Sequence, residues 1–451
     1  MSTNHEFDLI VLGAGTGGNG VARMAVQAGW NVASVDPLPY GGTCALRGCD
    51  PKKMLVAVTE GVDWVNNLKG KGLEADVSVN WPDMIAFKRT FTDVMPPRIE
   101  AGLKNAGITT LHGEARFTGP DTIEINGQLL RSLNFHIATG ARPMTLNIPG
   151  EDLLTTSTDF LALPEKPQRI AFVGGGFIAM EFAHIANRAG AAEVTVLEMM
   201  KRPLGNFDPD LVNLLVEATE DLGIDLKTEA KVLSIEESGK TFVVTYEPPS
   251  GKGQIICDLV VHATGRVPNI DGLNLKAANV DFGPRGIKVS PYMRTTNPAI
   301  FAAGDCADSG PNLTPVSANE ARIAGKNLLA GKDERAVNYP PIPSVVFTLP
   351  QLATVGLSEA AAREQNLAFD VHFEKTDDWY SSLRVGAKRT AFKVLVEKET
   401  GLILGAHLMG PGAEEQINLF AMAMGTGIPA NKIKGMIFAY PSYASDIGSM
   451  V

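Results

Sequence analysis

An apolar strand, a glycine-rich turn and a helix occur twice in this chain, and both times a second strand closes on a carboxylate. Residues 7 to 12 read FDLIVL, and Gly13, Gly15 and Gly18 follow in GxGxxG spacing. A helical stretch runs over Asn19 to Ala28, and the strand NVASVD ends at Asp36, 23 residues beyond Gly13. The first glycine permits the tight turn and the second lets backbone approach a pyrophosphate. The third lets helix pack on strand, while the helix N-terminus faces the anion and the terminal acid holds a ribose hydroxyl. A glycine-rich turn in some other strand–helix–strand unit is the plain alternative, and the flanking strands favour the nucleotide reading. The pattern returns where IAFV precedes Gly174, Gly176 and Ala179, a helix runs to Arg188, and VTVLE ends at Glu198. Two such folds imply two dinucleotides and an α/β chain with two Rossmann-like domains.

Each half also carries a later apolar strand ending in Ala-Thr-Gly, at Ala138 to Gly140 and at Ala263 to Gly265. Small residues there let a strand end lie against a cofactor. AIFAAGDCA reads as a strand ending at Gly304 and Asp305, and a helix is expected to open at Thr314 and Pro315. Beyond about Tyr339 the pattern changes to alternating strands, AFKVLVEK and ILGAHLMG, with helices expected at 412 to 426 and 430 to 438. This is an α+β domain without nucleotide signals. A length of 451 residues suggests about three domains.

The run GGTCALRGCDPKK sets Cys44 and Cys49 five residues apart, behind glycines and ahead of two lysines. An ideal helix rises about 7.5 Å over five residues, whereas a disulfide holds its Cα atoms within about 4.4 to 6.8 Å, so pairing requires a distorted first turn. Gly41, Gly42 and Gly48 permit one. Zinc is the rival reading, but a structural zinc site takes four ligands, and Cys257 and Cys306 are isolated without neighbouring histidines. No metal is expected. Four cysteines are a poor structural framework for so long a chain, so the close pair reads as redox-active. The N-terminus runs into a strand without a basic leader and no apolar run reaches a membrane span, so a cytoplasmic protein is expected. A net charge of −10 argues against nucleic acid as a partner.

Taken together, GAGTGG, GGTCALRGCDPKK, both Ala-Thr-Gly strands, FAAGD, LTPV, IPSVVFTLPQLATVGLSE and GAHLMGPGAEEQIN resemble the flavoprotein disulfide reductases, the pyridine nucleotide-disulfide oxidoreductases, across essentially the whole chain. The resemblance implies FAD on residues 1–148 and 266–338, NAD(P)H on 149–265, and a homodimerisation domain at 339–451. It implies a relay in which hydride passes from nicotinamide to flavin, the flavin reduces a Cys44–Cys49 disulfide, and a small-molecule acceptor is reduced last. By this resemblance Cys49 is the thiol next to flavin and Cys44 attacks substrate, Lys52 lies near the flavin, and Glu181 pairs with it and contacts nicotinamide. Gly42, Thr43, Thr139, Gly140, Gly265 and Thr314 would line the cofactors. Gly113 to Ala115 would offer backbone to adenine, Asp36 would take the FAD ribose, and Asp305 the ribityl chain. Arg47 is expected to lower a thiol pKa, with Asp50 opposing it.

The signals for the nicotinamide cofactor conflict. Glu198 accepts a ribose 2′-hydroxyl and repels a 2′-phosphate, and Met199 stands where an arginine would favour NADPH. Ala179, Lys201 and Arg202 lean the other way. NADH is favoured over NADPH because like-charge repulsion from Glu198 is the more direct effect. Phe177 takes the place of a tyrosine lid, as a gate or as packing.

The pattern breaks at the C-terminus. Where the family has His-Pro-Thr and a glutamate five residues after the histidine, this chain has Tyr440-Pro441-Ser442 and Ser445, with Asp446 one residue late. A phenol donates a proton to a leaving thiolate but is a poor base at neutral pH, and loss of a positioned acid or base costs about 100- to 10,000-fold. Tyr440 is the candidate donor, with Tyr443 as a second candidate contact. Arg23 and Arg322 fall where glutathione reductases grip substrate carboxylates, yet Ile99 replaces their substrate-contacting tyrosine. The C-terminal residues Gly448 to Val451 lack the vicinal cysteines of the mercuric reductase branch. The acceptor is therefore read as a disulfide or another electrophile. The alternatives are a quinone or oxygen reductase using the flavin directly, or a slow redox-sensing dimer.

Overall fold

The computed structural model describes residues 6 to 451. The chain forms two compact units. One holds the residues up to Lys52 with Ala86–Met144 and Gly265–Tyr339, and the other holds Lys53–Ile85, Thr145–Thr264 and Pro340–Val451.

The first unit is built on a seven-stranded sheet in the order Thr109–His112, Val32–Asp36, Phe7–Leu12, Gln128–Ile137, Thr122–Ile125 and Ala115–Gly119, with Ile300–Ala302 paired to the end of Gln128–Ile137. Leu12 lies beside both Val35 and Ile137, and Ile137 lies beside Ala302, all in parallel register. A central parallel strand is buried on both faces, which explains its unbroken apolar run. Ile10 and Leu12 join Phe117, Phe135 and Ile300 on one side. Leu9 and Val11 meet Val21, Ala22, Ala25, Ala321 and Ala324 on the other. Those alanines belong to helices Thr16–Gln27 and Thr314–Ala330. The first of these begins at Thr16 rather than Asn19, because extended Gly15 caps it and the remaining glycines of the turn enter the helix. The strand expected to reach Gly304 stops at Ala302, since Gly304 turns the chain with φ +75°.

The second unit contains a four-stranded parallel sheet in the order Asp225–Lys227, Glu193–Leu197, Arg169–Val173 and Leu259–His262. A three-stranded antiparallel sheet, Lys231–Ser238, Thr241–Glu247 and Gly253–Cys257, lies between its last two strands in sequence. The C-terminal part is a five-stranded antiparallel sheet in the order Ser344–Val346, Leu352–Gly356, Ile403–Met409, Ala391–Glu397 and Phe369–Lys375. Helix Ala413–Thr426 covers it, with Ile417 and Phe420 packed among Val355, Val394 and Ala406. The helix expected over 430–438 spans only Ala430–Lys434, with Gly435 as its C-cap, and Ile437 beyond is fully exposed. Among the described residues no helix is long and apolar enough to cross a membrane.

Candidate active site

The cysteines sit at a break between two helices. Helix Gly42–Arg47 carries Cys44, Gly48 leaves helical geometry at φ −148° and ψ −110°, and helix Cys49–Leu68 starts on the second cysteine. This is the distortion that the spacing requires. A Cβ on Gly42, whose φ is +71°, would stand 2.6 Å from the Gly15 Cα, so the cysteine segment lies directly on the first glycine-rich turn.

Both cysteines are free thiols that hydrogen-bond to each other, and the Cys49 Sγ is 3.7 Å from the Thr314 Oγ1. Cys49 and Thr314 each open a helix, and helix N-termini stabilise thiolate. The hydrogen bond with Cys44 does most to pull the Cys49 thiol down to about 6. Thr314 and the Lys52 charge assist, while partial desolvation and Asp50 oppose. The same hydrogen bond and burial push Cys44 up. Arg47 does not take the role expected of it, because its electrostatic partner is the Asp36 carboxylate.

Around the first turn, Gly13 has φ +107°, and a Cβ there would lie 2.2 Å from the Ala138 carbonyl oxygen. A Cβ on Gly18 would fall 1.9 Å from the Gly13 oxygen. The buried Asp36 carboxylate accepts the Ala14 amide at 2.8 Å and the Leu38 amide at 2.9 Å, and burial raises its pKa against those bonds. Gly113, at φ +148°, donates its amide to the Asp36 carbonyl at 3.3 Å, and strand Ala115–Gly119 begins two residues later. Thr139 and Gly140, at φ +70°, follow the central strand, and Gly265, at φ +118°, precedes Arg266.

Burial raises the Asp305 pKa, and Arg266 opposes that most. Arg266 was not singled out from the sequence, although it directly follows the second Ala-Thr-Gly. Glu320 was also missed: it accepts the Gly304 amide at 2.8 Å, the Gly310 amide at 3.0 Å and the Tyr339 hydroxyl at 2.6 Å, fixing the turn that presents Asp305. Lys52 is buried, whereas Arg23 and Arg322 are exposed and Ile99 packs against the core.

The second unit repeats the first turn closely. Gly174 has φ +104°, and a Cβ there would lie 2.4 Å from the Ala263 oxygen. Extended Gly176 caps helix Phe177–Arg188, and Ala179 is fully buried within it. The Glu198 carboxylate accepts the Gly175 amide at 2.5 Å and the Met200 amide at 2.6 Å. Phe177, Met199 and Met200 are 54%, 63% and 61% exposed. Lys201 is exposed, and the Arg202 Nε is buried without a hydrogen-bond partner. Glu181, 3% exposed, accepts the Phe347 amide at 2.9 Å.

Tyr440 is 80% exposed at the rim of a cavity of about 240 Å³ whose lining includes Trp379, Arg384, Ser445 and Asp446. Ser445 is no substitute for a carboxylate here. Its hydroxyl donates to the Ser442 carbonyl at 2.5 Å and accepts the Ser442 amide at 3.4 Å, which closes a local capping box. Burial raises the Asp446 pKa, and a bond from Ser381 opposes this. Tyr443 carries Arg384 over its ring at 5.0 Å. Among the described residues no group of three or more metal-ligating side chains converges.

Both glycine turns suit a dinucleotide: each opens a helix without a side-chain cap, each forbids a Cβ at its first glycine, and each is braced by a buried acid. With a thiol pair laid against the first turn, the fold and site define a flavin- and nicotinamide-dependent disulfide oxidoreductase. The chain belongs to the pyridine nucleotide-disulphide oxidoreductase family, which matches residues 7–321, and the family's dimerisation domain matches residues 342–451. It is 33% identical over 444 residues to a glutathione reductase of Burkholderia cepacia, covering 98% of each chain. It is 31% identical over 449 residues to a mercuric reductase of Bacillus cereus, covering 98% of this chain and 71% of that one. Among solved structures, the Cu(II) complex of RclA, an HOCl-induced flavoprotein disulfide reductase from Escherichia coli, superposes with a TM-score of 0.89 at 26% identity, covering 99% of both chains.

Proposed function

We propose that this enzyme uses NADH to reduce a small disulfide through the Cys44–Cys49 pair. The observation that carries the reading is the thiol pair itself: two hydrogen-bonded sulfurs at a helix break, one with its pKa pulled down to about 6, on the turn that suits a flavin dinucleotide. In balance, NADH, one proton and one disulfide give NAD⁺ and two thiols. When bound, nicotinamide supplies the hydride and flavin converts it into an electron pair for the sulfurs.

The protein's own residues do the rest. Cys44, whose proton is held by its bond to Cys49, attacks the substrate disulfide once that proton passes to its partner. Tyr440 protonates the first leaving thiolate and its phenolate then takes the proton from Cys49, whose thiolate attacks the mixed disulfide. The Cys44–Cys49 bond forms as the second thiolate leaves and takes that proton back from Tyr440. Lys52 and Thr314 favour the Cys49 thiolate in the resting dithiol and again for the second attack. Tyr440 is the proton donor to the leaving thiolate, and its exposure supports a site completed by a second copy of the chain. Asp36 and Glu198 orient the two riboses, Asp305 the ribityl chain, and Glu181 the nicotinamide. Residues 1–148 and 266–338 hold FAD, 149–265 hold NADH and 339–451 form the homodimer interface, in a reducing cytoplasmic setting.

NADH is preferred because both Glu198 oxygens are locked by backbone amides, which keeps a negative charge where a 2′-phosphate would sit. The unpartnered Arg202 Nε is the opposing feature. A second reading has Cu(II) as acceptor. It is favoured by the Escherichia coli neighbour named as a Cu(II) complex and by the thiolate character of Cys49. Two Cu(II) ions would take the two electrons of one NADH, giving two Cu(I), NAD⁺ and a proton.

The Cys44→Ser variant tests these readings against direct quinone reduction by the flavin. Disulfide turnover is expected to fall at least about 1,000-fold while NADH-dependent quinone reduction survives. Retained disulfide turnover in Cys44→Ser overturns the proposal. Chelator-detected Cu(I) that appears faster than any disulfide product in the wild type favours the second reading.

A further inference from the structure

Three side chains on one face of helix Phe177–Arg188 grip a short stretch of backbone. Glu181 accepts the Phe347 amide at 2.9 Å, the His184 Nδ1 accepts the Leu349 amide at 3.3 Å, and the Arg188 Nη2 donates to the Leu349 carbonyl at 2.8 Å. Positions i, i+3 and i+7 share a helix face, so the three follow one line along the helix.

The polarity of the line is self-consistent. Burial keeps His184 neutral, so with its Nδ1 accepting, the ring proton lies on Nε2 and is donated to the Thr219 Oγ1 at 3.0 Å. Thr219 in turn donates to the Leu215 carbonyl at 2.7 Å. Arg188, almost buried, is held by two bonds to the Asp63 Oδ1, at 2.7 and 3.0 Å. Asp63 belongs to helix Cys49–Leu68, the helix that begins on the redox cysteine. On the other side of the gripped segment, the Lys53 ammonium stands 4.4 Å over the Phe347 ring and 2.8 Å from Glu414.

We infer that His184 and Arg188 are positioning residues for Glu181, which with them clasps the backbone of Phe347–Leu349. The inference rests on the reading of Glu181 as the acid at the nicotinamide. A glutamate has three side-chain torsions, and the Phe347 amide helps to orient it only if that amide is itself fixed. His184 and Arg188 fix it two residues away, through both polar groups of Leu349. An apolar helix face could pack this segment as tightly, but it could not hold one N–H at hydrogen-bonding distance from a buried carboxylate. Displacement of about 1 Å remote from the chemistry can cost about 100-fold in rate.

The test uses the flavin-loaded enzyme without NADH and reads amide exchange of the 345–350 segment by mass spectrometry. Stopped-flow flavin reduction by NADH is measured in parallel. In His184→Leu, exchange at both Leu349 and Phe347 is expected to quicken by about tenfold, and flavin reduction to slow by about 10- to 100-fold. Flavin content and reduction by dithionite stay as in the wild type. His184→Asn, which keeps an acceptor for the Leu349 amide, is expected to restore most of both signals. Should His184→Leu not fold, Thr219→Val removes the partner of the ring's Nε2 and is expected to move the same signals in the same direction.

Unchanged Phe347 exchange and unchanged flavin reduction in these variants, alongside slow reduction in Glu181→Gln, overturn the clasp but leave the role of Glu181 standing. Wild-type reduction by Glu181→Gln overturns that role, and the inference with it.

Discussion

The two glycine turns share a plan and differ in how tightly they are closed. In both, a carboxylate at the end of the second strand accepts two backbone amides, one from the turn and one from two residues past the acid: Ala14 and Leu38 for Asp36, Gly175 and Met200 for Glu198. Glutamate's extra methylene spans a separation from the first glycine that is one residue longer. The third small position separates them. At Gly18 a Cβ would overlap the Gly13 oxygen at 1.9 Å, whereas the second turn accommodates the real Cβ of fully buried Ala179. The first acid also has Arg47 for a charge partner and the cysteine segment against its turn, while the second acid, equally buried, stands at a turn flanked in sequence by exposed Phe177, Met199 and Met200. A closed turn suits a group that stays bound, and an open one suits a group that exchanges at each turnover.

This contrast breaks most visibly at Gly18. Gly18→Ala should purify essentially without flavin, read as the ratio of flavin to protein absorbance, because a carbon at 1.9 Å from an oxygen forces helix from strand. A flavinated Gly18→Ala would show that the first turn is as tolerant as the second. Next in size, Glu198→Ala removes the fixed negative charge, and the NADH-to-NADPH ratio of kcat/KM should fall by about tenfold or more, since one such charge is worth about 1 to 2 kcal/mol in a partly exposed site. An unchanged ratio would assign selectivity to Lys201 and Arg202 instead.

The thiol pair offers a pH test on the first turn. With the Cys49 thiol pulled down to about 6, its thiolate is populated above that pH and lost below it. Alkylation of the reduced pair should therefore rise about tenfold per pH unit up to about pH 6 and level off above it. Lys52→Met should move the midpoint upward, because it removes a charge that favours thiolate. The smallest effect is expected for Ala179→Gly, which should cost about 1 kcal/mol of stability from helix propensity alone and leave NADH affinity nearly intact.

Much of this site was legible as spacing. GxGxxG, the acid at the end of the next strand and the glycines around the cysteines each encode a backbone conformation, and such constraints are local. Strand boundaries at Phe7–Leu12 and Arg169–Val173 follow from apolar runs that are buried on both faces. The features that were missed depend on residues far apart in sequence. Arg47 lies between the two thiols in sequence, but the charge it meets is that of Asp36, eleven residues upstream. Glu320 braces a turn ten to sixteen residues away, and His184 reaches Leu349 across 165 residues. Such pairings leave no periodic signature in one sequence.

The central claim is that electrons from NADH reach the sulfurs at the first turn. The direct measurement is an anaerobic titration of the oxidised enzyme with one equivalent of NADH, followed by alkylation and peptide mass spectrometry. The account predicts that Cys44 and Cys49 become alkylated together in proportion to NADH, while buried Cys257 and Cys306 stay unmodified. Full bleaching of the flavin with Cys44 and Cys49 still refractory to alkylation would contradict it.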